Sequence, residues 1–528
     1  MNPVLRYHEA TKHHFGRFAR SPGYLDWATQ PDPFRRYAGV RLSHLPHGSG
    51  IAPSGAPAPL DDRSLGEFLR CSMGLSAWKQ FGQARWALRV NPSSGNLHPT
   101  EAYVIWQGRV CHYAPREHAL EERCTLTDVD IPDSVFFVGL SSIHWREAWK
   151  YGERAFRYCQ HDVGHAIGAL RVAADLLGWR LALLSRWSDA EVATVLGLDR
   201  EADFVGAERE EPDCIAVVTA GDPEAWRDHD PQPLVEAATK AVWNGTANRL
   251  SPGHVEWPAI DEVSLATRFR SPSVGGGRAP ADSTGDGAGA RPPYPRDVIL
   301  QRRSALGFDP RGTLRRDAFL AMLARLQPAG PTPLGSSAQS PWDAIDWPPH
   351  VHLIIFVHRV EGVTPGIYAC IRSASARAEW KAAMRAEFLW ERVSASGPDD
   401  PVDSNGLFLL VPLDVRHEAI RVSCDQDIAG DGFFSLGMIA RLEGGLRDRG
   451  DSFYRRLFWE CGLIGQVLYL EAEAVGARGT GIGCFYDDPV HEMLGLSGHA
   501  WQSLYHFSMG LPVDDGRLTT ERGYEWET

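Results

Sequence analysis

The sequence has no cysteine pair at C-x-x-C spacing, no long apolar run and no basic excess, and each absence removes a class of function. Its nine cysteines are scattered along 528 residues. Neither a zinc ribbon nor a disulfide framework is indicated, and they read as reduced, mostly buried thiols. No run approaches the roughly 18 apolar residues of a membrane span. Residues 1–15, with His8, Glu9, Lys12, His13 and His14, lack the apolar core of a signal peptide. A cytoplasmic protein is expected. A net charge of −13 with no offsetting basic block argues against nucleic acid as a partner. No G-x-S-x-G elbow accompanies the serines, which argues against a hydrolase. His161 and His165 stand at i,i+4, but no third ligand follows at a recognisable spacing, so no metal site is expected.

What is present is a soluble-protein composition, 43% apolar and 23% charged, in a chain too long for one core. Residues 1–62 are a polar, Pro- and Gly-rich lead-in. A helix is expected from Leu65 to Met73, strands at Ala102–Trp106, Ser134–Leu140 and Cys214–Thr219, and a helix over Trp145–Gln160. Val163, Ile167, Leu170, Ala174 and Leu177 recur at helical steps and mark the clearest helix. A strand at Arg180–Leu184 then leads to Ser188-Asp189-Ala190-Glu191, a capping box opening a helix to Leu196. Ser271–Pro295 turns to Gly, Ala, Pro and Ser, a flexible linker.

The chain also repeats itself. Gly178–Leu198 lies on Gly476–Leu496 without a gap, at an offset of 298 residues, and both stretches end in Leu-Gly-Leu. At the same offset Asp162-x-Gly164 matches Glu460-x-Gly462 and Ala174 matches Ala472; earlier, outside that offset, Val351–Val357 is a strand candidate equivalent to Ala102–Trp106. The reading is two copies of one domain, 63–245 and 296–528, joined by 246–295. A fused pair can place a site at the seam between copies, as a homodimer does, and divergence frees one of two such sites to be lost.

Four stretches carry residues suited to chemistry. Ser93-Ser94-Gly95-Asn96, a turn between Pro92 and Pro99, offers hydroxyls, an amide and backbone N–H groups to a flat heterocycle. Arg302-Arg303-Ser304 near a helix suits a phosphate through charge-assisted donors. Gly479-Thr480-Gly481-Ile482-Gly483-Cys484-Phe485 looks like a Rossmann loop, but Asp487-Asp488-Pro489 follows where a long helix should open. Its glycines permit close approach of backbone to a ligand, whereas the first-copy equivalent, Leu183–Arg186, has none. Lys150 would share a helical face with Arg146 and Arg154, cations that favour a lysine as a base, and Tyr151 is adjacent.

Pro92–Pro99 resembles the Pro-Ser-Ser-x-Asn-x-x-Pro loop of flavin-dependent nitroreductases, which touches FMN from across a dimer interface. Arg302-Arg303-Ser304 is similar to the opening of those proteins that holds FMN, with the departure that Leu306 stands where a later arginine would be. Gly479–Phe485 resembles their segment beside flavin N5 and O4. Trp145–Tyr158 is similar to the Lys-Tyr region of the SagB-type azoline dehydrogenases within the family, and His350–Tyr368 looks like the same branch. The resemblance runs from Leu65 to Thr219 and from Asp297 to Pro512.

It implies an α+β fold of two tandem nitroreductase-like domains, antiparallel-rich sheets covered by helices, forming an intramolecular pseudo-dimer. It implies one FMN, held by Ser93, Ser94, Asn96, Arg302, Arg303, Ser304, Gly481, Ile482 and Gly483. The reciprocal seam would be silent, with Gly335-Ser336-Ser337-Ala338-Gln339 a degraded loop. The implied reaction oxidises a thiazoline or oxazoline, in a peptide or carrier-bound substrate, with Lys150 and Tyr151 as catalytic residues. Two alternatives stand beside it: an NAD(P)H-dependent reductase of nitro groups, quinones or enones, and a flavin-binding sensor. A pseudo-dimer suits a monomeric chain, and membership of a biosynthetic complex is compatible with it.

Overall fold

The computed structural model describes residues 2–47, 56–270, 294–332, 335–393 and 406–527. Most of the Gly- and Pro-rich stretch expected as a linker lies outside the described residues. The chain divides into two compact units. One, the first-copy unit, comprises 21–300 with 340–346 and 519–528; the other, the second-copy unit, comprises 1–20, 301–339 and 347–518. The expected lead-in 1–62 is therefore not a separate piece. Its first part, with helix α1 (Pro3–Ala10), belongs to the second-copy unit, and its remainder to the first.

The first-copy unit is built on a seven-stranded sheet. Its strands are β1 (Arg41–His44), β2 (Thr100–Trp106), β3 (Arg109–Ala114), β4 (Ala119–Thr125), β5 (Val135–Ser142), β6 (Arg180–Leu183) and β7 (Glu211–Thr219). They run β1-β4-β3-β2-β5-β7-β6, each pair antiparallel. The middle strands β2 and β5 are buried at every position, which is why both read as apolar runs rather than alternations. Helices α2 (Asp62–Arg70), α3 (His144–Tyr151), α4 (Ala155–Leu176) and α5 (Asp189–Leu196) complete the unit. The capping box is formed: Ser188 Oγ accepts from Glu191 N, and the Glu191 carboxylate accepts from Ser188 N at 2.7 Å.

One expectation is corrected here. Trp145–Gln160 is not a continuous helix, because Gly152 takes φ +55° and ends α3 before α4 begins. A three-stranded sheet of Leu75–Phe81, Ala84–Arg89 and Thr519–Arg522 was not anticipated, since its third strand comes from the far end of the chain.

The second-copy unit repeats the plan. Its strands are β8 (Val351–Val357), β9 (Gly366–Cys370), β10 (Glu391–Arg392), β11 (Leu407–Pro412), β12 (Phe434–Arg441), β13 (Arg478–Ile482) and β14 (Trp501–Gly510). Their order is β10-β11-β9-β8-β12-β14-β13; with β8 in the place of β2 the last six strands repeat the first sheet, and only the edge strand differs, β10 lying between β9 and β11 in the chain whereas β1 precedes β2. Helices α6 (Leu442–Arg449), α7 (Phe453–Ala474) and α8 (Asp487–Leu494) have the bounds of α3, α4 and α5 displaced by 298 residues. Even the break recurs, at Gly450 with φ +80°. The fold is α+β, built twice. Gly335–Ala338 is a strand paired with Ala329–Thr332, not the loop expected there.

Helix α1 is tied into the second-copy unit by polar groups. Asn2 caps it at Val4 N, and the buried His8 ring lies 3.1 Å from Tyr454 Oη and 2.9 Å from Gln502 Oε1. Lys12 Nζ meets Glu9 at 2.5 Å and Asp488 at 3.2 Å, and His13 N donates to Asp487. Among the described residues no helix is long and apolar enough to cross a membrane. Because His8→Ala would remove the buried ring that meets Tyr454 and Gln502, it should cost about 1–3 kcal/mol in denaturant unfolding. A change under about 0.5 kcal/mol, the scale of surface substitutions, would contradict this account of α1.

Candidate functional site

The turn before β2 is shaped by its own polar groups. Gly95, Asn96 and His98 all take positive φ, which glycine and asparagine tolerate. Ser93 Oγ accepts from His98 N at 2.8 Å, and Asn96 Nδ2 donates to Ala87 O at 2.8 Å. Ser94 donates twice to Asp162, from its N–H at 3.0 Å and its hydroxyl at 3.1 Å. Much of the hydrogen-bonding capacity expected to face a ligand therefore holds the loop.

Against this turn lies the end of α3. A Cβ added to Gly95 would stand 2.5 Å from the Tyr151 hydroxyl and 3.2 Å from Lys150 Nζ. Only glycine fits there, and the structure brings Lys150, Tyr151 and the turn together. Tyr151 in turn packs on Tyr158 of α4, ring centroids 4.5 Å apart. The cationic face expected around Lys150 is not found. Arg146 is buried, donates to His98 O at 2.7 Å and Asp32 O at 3.0 Å, and its charge is met by Glu101. Arg154 lies beyond the helix break. Arg146 instead fixes α3 to the turn.

Sequence reasoning missed two buried acids here. Burial pushes the Asp162 carboxyl up to about 7, against the opposing bonds from Ser93 and Ser94. Glu147 on α3 is fully buried, neither carboxyl oxygen meets a donor among the described residues, and burial with the Asp162 charge holds it well above the carboxylate range. The available signal was an acid at the same position of the long apolar helix in both copies, Asp162 and Glu460.

In the second-copy unit the expected cofactor residues form their own cluster. Arg302 is buried, with its guanidinium 5.0 Å from the Tyr469 ring centroid. Burial lowers its pKa, opposed by the Tyr469 and Glu473 charges. Arg303 follows it, and Ser304 Oγ lies 2.9 Å from Tyr469 Oη, which also receives Gly481 N at 2.9 Å. Strand β13 is the sheet edge, and Ala305 N donates to Gly479 O at 3.0 Å. A Cβ at Gly481 would strike the Tyr505 hydroxyl, so neighbouring side chains already require that glycine. The Ile482 side chain belongs to the core, and its backbone pairs with His506 of β14. Gly483 follows the strand and is half-buried.

The raised Asp162 carboxyl has a stability consequence. Between about pH 4, the unfolded value, and 7, the folded value, the folded chain keeps a proton that the unfolded chain has released. Stability therefore falls as pH rises through that window. Asp162→Asn, which cannot ionise, should flatten this slope and leave the variant more stable than wild type at alkaline pH, by up to about 4 kcal/mol. Denaturant unfolding at both ends of the window checks it; parallel pH dependence in the two proteins would contradict it.

Comparison with known proteins follows the same lines. The sequence model of the Nitroreductase family matches residues 366–511. A solved structure from Anabaena variabilis, provisionally assigned as a nitroreductase, has a TM-score of 0.69 at 20% identity, covering 97% of this chain and 100% of that one. The E. coli microcin synthetase McbBCD complex with truncated pro-MccB17 bound gives a TM-score of 0.29 at 16% identity, covering 40% of this chain and 70% of that one. A Ralstonia eutropha protein, also provisionally a nitroreductase, gives 0.27 at 14%, covering 38% and 97%. No curated protein matches significantly in sequence. The chain is similar to the Nitroreductase family over residues 366–511 and has a fold of two tandem nitroreductase-like domains.

Proposed function

We propose that the protein is an FMN-dependent oxidoreductase that dehydrogenates a thiazoline or oxazoline, in a peptide or carrier-bound intermediate, to the azole. The observation that carries this reading is the contact of Lys150 and Tyr151 with the Gly95 turn. The Lys-Tyr pair that resembles the azoline dehydrogenases thus stands against the turn that resembles a flavin loop.

The residues fit the cofactor. Arg302 is a cation held in a buried position, Arg303 and Ser304 adjoin it, and β13 is an edge strand with glycine at 479 and 481 and Gly483 just after it. That donor set suits a phosphate and the polar rim of an isoalloxazine. Arg302, Arg303, Ser304 and the backbone of Gly481, Ile482 and Gly483 would hold FMN, together with Ser93, Ser94 and Asn96. FMN supplies two-electron chemistry by taking hydride from a substrate carbon. The chain's own share is the proton: Lys150 accepts one from the azoline ring, and Tyr151 orients the lysine or the substrate.

We also propose that one FMN binds per chain. At the 298-residue offset, Gly479, Gly481 and Tyr469 become Leu181, Leu183 and Arg171. Arg171 donates to the Asp343 carboxylate at 2.9 and 2.7 Å and to Asp175 at 2.6 Å. Residues 340–346 belong to the first-copy unit, and Trp342 there is buried. A salt bridge and a tryptophan thus stand where the second copy offers tyrosine and glycine. Flavin released on denaturation should approach about one per chain, and a ratio near two would contradict the loss of the reciprocal site.

Lys150→Ala should keep flavin content and spectrum while substrate oxidation falls about 10²–10⁴-fold, the usual worth of a positioned base. Tyr151→Phe should cost less. Stopped-flow reduction of the bound flavin by a thiazoline peptide separates the variants. Wild-type rates in the alanine variant would remove Lys150 from the mechanism.

A further inference from the structure

We propose that Tyr469 is a positioning residue of the flavin site, its hydroxyl taking the Gly481 N–H and directing the Ser304 hydroxyl proton at the cofactor phosphate. The proposal rests on the reading that Arg302, Arg303 and Ser304 hold FMN. Three members of that donor set converge on this one side chain. Tyr469 Oη receives Gly481 N at 2.9 Å and lies 2.9 Å from Ser304 Oγ, and the buried Arg302 guanidinium is 5.0 Å from its ring centroid. The ring is buried on α7 and meets Phe507 of β14 edge-on, centroids 4.9 Å apart.

The direction of each bond follows from what the groups can give. A backbone N–H only donates, so Tyr469 Oη accepts from Gly481. Between the two hydroxyls the phenol is the stronger acid and the better donor, so its proton goes to Ser304 Oγ. Ser304, having accepted, keeps its own proton for a ligand, and it is exposed where Tyr469 is not. The chain from Gly481 N–H through Tyr469 O–H to Ser304 O–H thus joins the glycine strand to the phosphate end, each bond polarising the next. Gly481 packs so closely on the Tyr505 hydroxyl that no Cβ would fit. Donors held in place before binding lose less freedom when the ligand arrives.

Packing alone does not account for the hydroxyl. The contacts with Phe507 and Arg302 are made by the ring, and phenylalanine would keep both. The first copy shows the alternative. At the 298-residue offset Tyr469 and Gly481 become Arg171 and Leu183. Arginine carries no acceptor and cannot receive a backbone N–H. Arg171 is engaged instead by Asp343 at 2.7 Å and Asp175 at 2.6 Å. The hydroxyl is present where the strand carries glycine and absent where it carries leucine.

FMN and riboflavin differ by the phosphate alone, so the ratio of their affinities isolates the directed proton. The full-length chain, stripped of flavin, is titrated with each while quenching of flavin fluorescence is followed. Wild type should prefer FMN. Tyr469→Phe should lower that preference about 10-fold, the worth of one hydrogen bond to a charged group. Ser304→Ala should lower it by a similar factor, and Tyr469→Phe added to it should lower it little further, because both remove the same contact. Equal losses of FMN and riboflavin in Tyr469→Phe would make the hydroxyl a packing element and overturn the proposal, as would additive effects of the two substitutions. A preference lost in Ser304→Ala but kept in Tyr469→Phe would overturn the proposal and leave the phosphate site standing. Equal affinities in wild type would overturn the phosphate site itself, and the proposal with it.

Discussion

A carboxylate in the long buried helix, holding the backbone N–H groups of the chain that enters the central strand, is the interaction on which each copy of the domain depends. Glu460 does this for His350 and Val351 at the start of β8, and Asp162 does it for Ser94 ahead of β2. A charge buried in an apolar helix needs partners, and the two copies found different ones. With Arg372 the acid is a permanent anion and a structural pin. With two serines it becomes a group that titrates near neutrality beside the turn that touches Lys150 and Tyr151. Duplication left the packing role in place in both copies and gave the acid different partners.

The same division of labour appears around it. Arg146, Glu101 and His112 form a buried chain, the imidazole between Glu101 at 3.0 Å and Glu121 at 2.8 Å. The two glutamates raise that imidazole to about 9 against its burial, so it is a cation in the fold at neutral pH. This network ties α3 to β2, β3 and β4 and fixes where Lys150 can point. In the second copy, tyrosines at 469 and 505 stand against the glycines of β13 and its edge is met by Ser304 and Ala305, whereas leucines and an Arg171–Asp343 bridge stand at the equivalent positions in the first.

The architecture was legible in the sequence because the repeat preserves spacing. The ungapped match of Gly178–Leu198 on Gly476–Leu496 anticipated helices whose bounds differ by that same offset, and Val351–Val357 was legible as a strand from its apolar run. The break at Gly152 was not, because a helical aromatic pattern continues on both sides of it. The placement of α1 and of Thr519–Arg522 could not be read either, since both depend on partners hundreds of residues away. At the site, Lys150, Tyr151 and the turn were legible as motifs, but their meeting at Gly95 was not. The supposed cationic face failed for the same reason, since sequence spacing cannot show that Arg146 is turned inward to Glu101. Glu147 was not singled out in the sequence, and only its burial marks it out.

The most direct test of the account is which reductant reduces the flavin. The purified flavoprotein, held without oxygen, is mixed in parallel with a thiazoline-containing peptide and with NAD(P)H while its visible absorbance is followed. The account predicts bleaching by the thiazoline, with azole formed in step with the flavin reduced, and no comparable bleaching by the nicotinamide. Rapid bleaching by NAD(P)H with an inert thiazoline would contradict it and make the protein a reductase.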